Sequence, residues 1–271
     1  MSLTTVPLTT TVFGPTAPDT PTVLAIHGLT GHGRRWEALA TDYLPDVRVV
    51  APDLIGHGTS PWVPPWSFEE HVAALTAVVD EHVPATLRPF VIVGHSFGGA
   101  LAVRLAAMLP TADLAGLVLL DPAQGLDRHW ALEVATDGLA NWGYPDADAA
   151  RAAKRSEGWA EIPDRLLDKE IDEHLIDLPN GGVGWRISAP ATAAAWSEMA
   201  REFVLPPAGL PTALVVADRV DPPFVRAAFL DACAAQRGSE VEVIHADCEH
   251  MVPFLEPDLT ASVIRSMLAR V

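Results

Sequence analysis

Short apolar runs recur along the chain, and each closes on a turn signal before a helix-like segment begins. Val23–Ile26 runs into His27-Gly28, Val47–Ala51 into Pro52-Asp53, and Phe90–Val93 into Gly94. Leu114–Leu120 runs into Asp121-Pro122, Ala213–Ala217 into Asp218, and Val241–Ile244 ends near His245. Brief runs that are apolar at every position suit the strands of a parallel sheet covered on both faces. Between them, Ser67–His82 reads as a helix with a Ser67 cap and Glu69 and Glu70 in its first turn; Gly98–Leu109 reads as one stopped by Pro110. Strand alternating with helix predicts an α/β fold: a mostly parallel central sheet, helices on both faces and right-handed crossovers. Thr9–Phe13, followed by Gly14-Pro15, reads as an edge strand.

One interval breaks this rhythm. Between Asp121 and Thr212 lie about ninety residues with no convincing strand, carrying five of the eight tryptophans: Trp130, Trp142, Trp159, Trp185 and Trp196. Within it, Asp164–Leu178 sets Leu167, Ile171, Leu175 and Leu178 on one face of a helix with carboxylates around the rest. The segment is too long for a loop. The expected organisation is therefore a core of residues 1–122 and 211–271 with a mainly helical cap or lid, 123–210, inserted between them.

Composition narrows the function. The 271 residues are 49% apolar, which builds a sizeable core, and 18 Lys and Arg face 35 Asp and Glu for a net charge of −17. A surface so acidic repels phosphate backbones and anionic lipid, so no nucleic-acid partner is expected. Cys233 and Cys248 allow at most one disulfide. No signal peptide is expected, since no Lys or Arg precedes Arg34 and no apolar leader follows the start. No apolar stretch is long enough to span a membrane. A cytoplasmic protein acting on a small molecule is the expectation.

The strongest local signal is Gly94-His95-Ser96-Phe97-Gly98-Gly99, between the run Phe90–Val93 and an Ala-rich helix. A serine on so sharp a strand-to-helix turn has its hydroxyl exposed at a helix N-terminus, with glycines two residues away on either side relieving crowding. A hydroxyl needs a base to become a nucleophile. The best candidate is His250, on the segment after the last strand and so at the same sheet edge as Ser96. The histidine needs an orienting carboxylate. Asp121, Asp218 and Asp221 all follow strands, and Asp221, beyond Val215–Ala217, is preferred. The order Ser96, Asp221, His250 is the serine–acid–histidine order of a hydrolase elbow. His27, His57 and His95 read as structural residues of tight turns, and Cys248 as a wall residue. No metal cluster or phosphate loop is present, so no cofactor is expected.

These motifs resemble the α/β-hydrolase superfamily, in its capped branch of serine esterases, haloperoxidase-like enzymes and carbon–carbon bond hydrolases. His27-Gly28-Leu29 is similar to the family's oxyanion-loop motif, Asp53-Leu54-Ile55-Gly56-His57-Gly58-Thr59-Ser60 to its Asp-x-x-Gly-x-Gly-x-Ser turn, and Cys248–Pro257 to its C-terminal histidine stretch. Glu249 departs from the glycine usual before that histidine, and Asp218 from the glycine often found before the acid. The resemblance implies an oxyanion hole formed by the backbone amides of Leu29 and Phe97. Serine at the elbow, rather than aspartate, suits acyl transfer. The expected activity is hydrolysis of a small or medium carboxylic ester. Carbon–carbon cleavage of dienoic diketones or lactone hydrolysis is the enzymatic alternative, and a non-catalytic binding protein on this fold is a third. The five cap tryptophans and Trp36 are candidate walls of the substrate pocket.

Overall fold

Each of the six apolar runs is a strand of one sheet. The computed structural model describes residues 6–179 and 181–270. The strands are β1 (Thr10–Phe13), β2 (Thr22–Ile26), β3 (Arg48–Pro52), β4 (Phe90–His95), β5 (Leu114–Leu120), β8 (Thr212–Ala217) and β9 (Val241–Ala246), with β6 and β7 falling between β5 and β8. Their spatial order is β1-β3-β2-β4-β5-β8-β9. Only β1 runs antiparallel, pairing Thr10 with Pro52 at the edge. Every other neighbouring pair is parallel.

Alternate residues of each strand feed two separate cores, as the two-residue strand period requires. Leu24, Ile26, Ile92, Leu117, Leu119 and Leu214 point to one side. There they meet α1 (Phe68–His82), α2 (Phe97–Met108) and α7 (Ala227–Arg237) through side chains such as Leu75, Leu101 and Phe229. Val23, Ala25, Val91, Val93, Val118 and Val215 point to the other, against Ile264 and Met267 of α9 (Pro257–Leu268), which follows the short α8 (Val252–Leu255). Burial on both faces explains why these strands read as continuous apolar runs. The α1 cap is the expected one, Ser67 Oγ accepting from the Glu70 amide at 3.3 Å.

The interval between β5 and β8 holds α3 (Arg128–Ala140), α4 (Ala147–Ser156), α5 (Asp164–His174) and α6 (Ala189–Met199). It also holds strands that the sequence pattern conceals: β6 (Leu175–Asp177) pairs with β7 (Val183–Trp185) as an antiparallel hairpin. The helix expected through Leu178 therefore ends at His174. Gly181 and Gly182, at φ 88° and 78°, turn the chain back so that Leu175 lies opposite Trp185. Leu175 and Leu178 continue the helical spacing of Leu167 and Ile171, and the glycine turn overrides it. The interval is tied to the sheet edge by backbone bonds from Gly58 to Arg186 (2.9 Å) and from Ser188 to Gly56 (2.8 Å).

Candidate active site

Ser96 sits between β4 and α2 at φ 55° and ψ −120°, a conformation that side chains rarely adopt. The turn closes only because its neighbours are glycines. A Cβ on Gly94 would lie 2.3 Å from the Gly98 carbonyl oxygen, and one on Gly98 would lie 2.3 Å from that of Ile26. The turn is pinned to β5, with the Ser96 amide donating to the Leu120 carbonyl at 3.0 Å. Strain held in this way by the surrounding backbone makes Ser96 a candidate functional position.

His250 follows β9 at the same edge. Its Nδ1 meets Asp121 Oδ2 at 2.6 Å, and the Asp121 side chain is 1% exposed. Asp121 Oδ1 also accepts from the Ala217 amide at 3.3 Å. The preference for Asp221 is thus corrected: Asp221 is exposed and forms no ion pair or side-chain hydrogen bond among the described residues. Asp218 pairs instead with His245 at 2.7 Å. The physical reason lies in the strand order. β5 stands directly beside β4, so the residue at its end is beneath the elbow, whereas Asp221 lies four positions beyond the end of β8. His250 is further fixed by its carbonyl, which accepts from His95 Nε2 at 2.8 Å, and by the Phe224 ring stacked 4.1 Å away. With Nδ1 engaged, Nε2 remains as the basic nitrogen. Ser96 and His250 line one cavity of about 440 Å³.

The His27-Gly28-Leu29 loop runs against the elbow so closely that a Cβ on Gly28 would come within 3.0 Å of Ser96 Cβ. The amides of Leu29 and Phe97 have no acceptor among the described residues, which leaves two N–H donors beside the serine. His27 holds this loop, accepting from the Leu54 amide through Nε2 (3.0 Å) and meeting the Gly28 carbonyl through Nδ1 (2.7 Å). Asp53 closes the next turn, accepting from Gly33 (2.7 Å) and Thr59 (2.9 Å) amides. Burial keeps His27 and His95 well below the usual imidazole range and brings His57 down to about 4. These histidines are neutral hydrogen-bonding groups of tight turns. Burial likewise pushes the Cys248 thiol up to about 12, so no thiolate competes with Ser96.

All five tryptophans of the inserted segment line the cavity: Trp130, Trp142, Trp159, Trp185 and Trp196. Trp130 packs on Trp196 (5.7 Å) and on Phe224 (5.3 Å), joining α3 and α6 to the ring that holds His250. Trp36 does not line it. It is 2% exposed and packs in the α9-side core with Leu39 and Leu44, because the turn Gly33–Trp36 folds beneath the sheet.

The sequence pattern did not single out Phe224, Arg35 or Lys154, all on the cavity wall. Arg35 Nη2 donates to the Thr30 carbonyl at 2.7 Å and pairs with the buried carboxylate of Glu170, which also takes His32 Nε2 at 2.9 Å. A polar pair about 135 positions apart in the chain carries no local signal. Among the described residues no His, Cys, Asp and Glu group is arranged to hold a metal, and no helix is long and apolar enough to cross a membrane.

Comparison with known proteins bears on the family and the fold. The model of the alpha/beta hydrolase family matches residues 23–263. Lipase LipV of Mycobacterium tuberculosis is 48% identical over 256 residues, covering 94% of this chain and 95% of that protein. A pimeloyl-[acyl-carrier protein] methyl ester esterase of Methylococcus capsulatus is 38% identical over 168 residues, covering 59% and 61% of the two chains. Among solved structures, E-2-(acetamidomethylene)succinate hydrolase superposes with a TM-score of 0.78 at 19% identity, covering 97% of this chain and 95% of that one.

Proposed function

Because the chain belongs to the α/β-hydrolase family, we propose that it is a serine hydrolase that cleaves a small or medium carboxylic ester through an acyl-enzyme on Ser96. It is an ester-hydrolysing enzyme of the lipase and esterase kind, and likeness to the LipV lipase over nearly the whole chain supports that class. The observation that carries the mechanism is the 2.6 Å contact of His250 with buried Asp121 at the edge where the strained Ser96 opens into a tryptophan-walled cavity.

In this mechanism His250 Nε2 takes the Ser96 proton as Oγ attacks the ester carbonyl, and Asp121 steadies the imidazolium that results. The Leu29 and Phe97 amides donate to the oxyanion, each interaction being worth about 3–4 kcal/mol in the transition state. The intermediate collapses, His250 returns the proton to the departing alcohol, and the acyl group remains on Ser96. Water, deprotonated by the same nitrogen, then releases the acid and regenerates the serine. Residues 123–210 act as the cap: they supply the tryptophan walls and leave the chemistry to the sheet edge.

A fluorophosphonate probe tests this directly. It should label Ser96, and Ser96→Ala should abolish both labelling and hydrolysis of p-nitrophenyl esters without loss of fold. Turnover near the wild-type level in Ser96→Ala would refute the assignment.

A further inference from the structure

Lys154 stands out among the groups outside the triad. On α4 it lies one turn after Ala150, and both are buried, so the lysine occupies a position on the apolar face of its helix. Its side chain is 2% exposed and lines the same cavity as Ser96. Nζ lies 4.5 Å from the Trp185 ring and 5.1 Å from the Trp159 ring. Among the described residues it makes no hydrogen bond and no ion pair with a carboxylate. Two ring faces offset only part of the cost of burying an ammonium ion.

The charged groups facing it do not supply the missing anion. Glu170, the buried carboxylate nearby, is engaged bidentately by Arg35 and by His32. Arg35 adds a second positive charge on the same wall, its guanidinium 5.0 Å from the Trp159 ring. Glu157 also lines the cavity and its charge favours the ammonium, but it is exposed and forms no ion pair with Lys154. Once Arg35 is matched by Glu170, Lys154 remains a buried cation with no ion-pair partner among the described residues, inside a protein whose net charge is −17. Burial, reinforced by Arg35, brings the Lys154 amine down to about 8, so at neutral pH it is still largely an ammonium.

We infer that Lys154 is a specificity-determining residue that receives a carboxylate, so the preferred substrate is an ester with a free carboxylate remote from the scissile bond. The inference rests on the serine-hydrolase reading and refines its substrate class. A carboxylate reaching between Trp159 and Trp185 would complete the ion pair that the fold leaves open, in a site where its charge is little screened.

The test compares matched esters on the purified enzyme. Monomethyl esters of dicarboxylic acids, from succinate to azelate, are set against methyl esters of monocarboxylic acids of equal length. Acetates of ω-hydroxy acids against acetates of plain alkanols place the charge on the alcohol side. In one series the wild type should favour the charged member by about tenfold or more in kcat/KM, the order expected for a charge-assisted contact. Lys154→Met should reduce that ratio to about one or below, and Lys154→Arg should retain part of it. Because each ratio is taken within one variant, a general loss of activity cancels. As a readout without turnover, the charged ester should bind Ser96→Ala more tightly than its neutral partner by calorimetry, and the difference should vanish when Lys154→Met is added. A wild type that favours neutral esters in both series, or a ratio unmoved by Lys154→Met, would overturn the inference and leave the hydrolase reading standing. No turnover of any ester together with no labelling of Ser96 would remove the hydrolase reading, and this inference with it.

Discussion

Asp121→Asn is the sharpest probe of the proposed triad. The carboxylate is 1% exposed and bonds His250 Nδ1 at 2.6 Å, while its other oxygen accepts from the Ala217 amide at 3.3 Å. An asparagine of the same shape can keep the Ala217 bond through its carbonyl oxygen, so the fold should survive. Its amide nitrogen then faces Nδ1 and donates, which forces Nδ1 to give up its proton. The remaining proton moves to Nε2, and the imidazole presents a donor to Ser96 where a base is needed. An acid-to-amide change of this kind costs about 10⁴-fold in kcat, or about 5 kcal/mol of transition-state stabilisation. Asp221→Asn, at an exposed position that touches neither His250 nor Ser96, should stay within about threefold of wild type. Both variants are assayed by kcat/KM on a short p-nitrophenyl ester and by the rate of fluorophosphonate labelling, with unfolding midpoints as the control. A loss of about 10³-fold or more in Asp221→Asn, with Asp121→Asn nearly intact, would refute the geometric argument and restore the strand-end reading of the sequence.

Further outcomes follow from the same geometry. Trp130→Ala removes the ring linking α3 to Phe224 and should shift the ratio of kcat/KM between long and short esters by about tenfold, whereas a ratio unchanged in a folded variant would make this tryptophan mere filler. Glu170→Gln strands Arg35 beside His32 and should cost about 3–5 kcal/mol in urea unfolding at pH 7. Although burial opposes it, Arg35 and His32 hold the Glu170 carboxyl well below its ordinary value. Its stabilisation is therefore complete above the unfolded carboxyl pKa of about 4.3, and the gap between wild type and variant should narrow as pH falls below that. Burial brings His57 to about 4 and His71 to about 3, so the unfolded chain binds more protons below about pH 6.5. Each should cost about 2 kcal/mol of stability on going from pH 7 to pH 5, and His71→Gln should flatten the slope seen in urea midpoints.

The fold was legible because its strands are buried on both faces, so each announces itself as an apolar run with a turn behind it. The serine was legible because its strain demands glycines at fixed spacing, and the histidine because it follows the last strand at the same edge. The acid was not. Three aspartates follow strands, and nothing local ranks them; which one meets His250 depends on β5 standing next to β4, a fact of sheet order. Trp36 was misplaced for a related reason, since eight positions past Gly28 says nothing of which way the turn Gly33–Trp36 folds. The polar composition of α4 masks Lys154, because the pattern around Arg151, Lys154 and Arg155 reads as a solvated face. The lysine is buried between Trp159 and Trp185, the latter brought over it by the β6–β7 hairpin that a helical leucine spacing hides.

The contacts of Arg35 show how the sheet edge and the inserted segment become one site. Its guanidinium donates to the carbonyl of Thr30, the residue after Leu29, and also pairs with Glu170 on α5. A movement of α5 away from the edge must therefore break a buried ion pair or pull on the loop that presents the Leu29 amide. Either costs free energy on the scale of the interactions proposed for the oxyanion hole. Trp130 and Phe224 make a second tie from α3 to His250. The segment that walls the cavity is thus braced against His250 on one side and the Leu29–Thr30 loop on the other. On the proposed mechanism, contacts of the tryptophans and Lys154 with substrate would hold the ester against Ser96, so that discrimination in the inserted segment registers as rate at the serine.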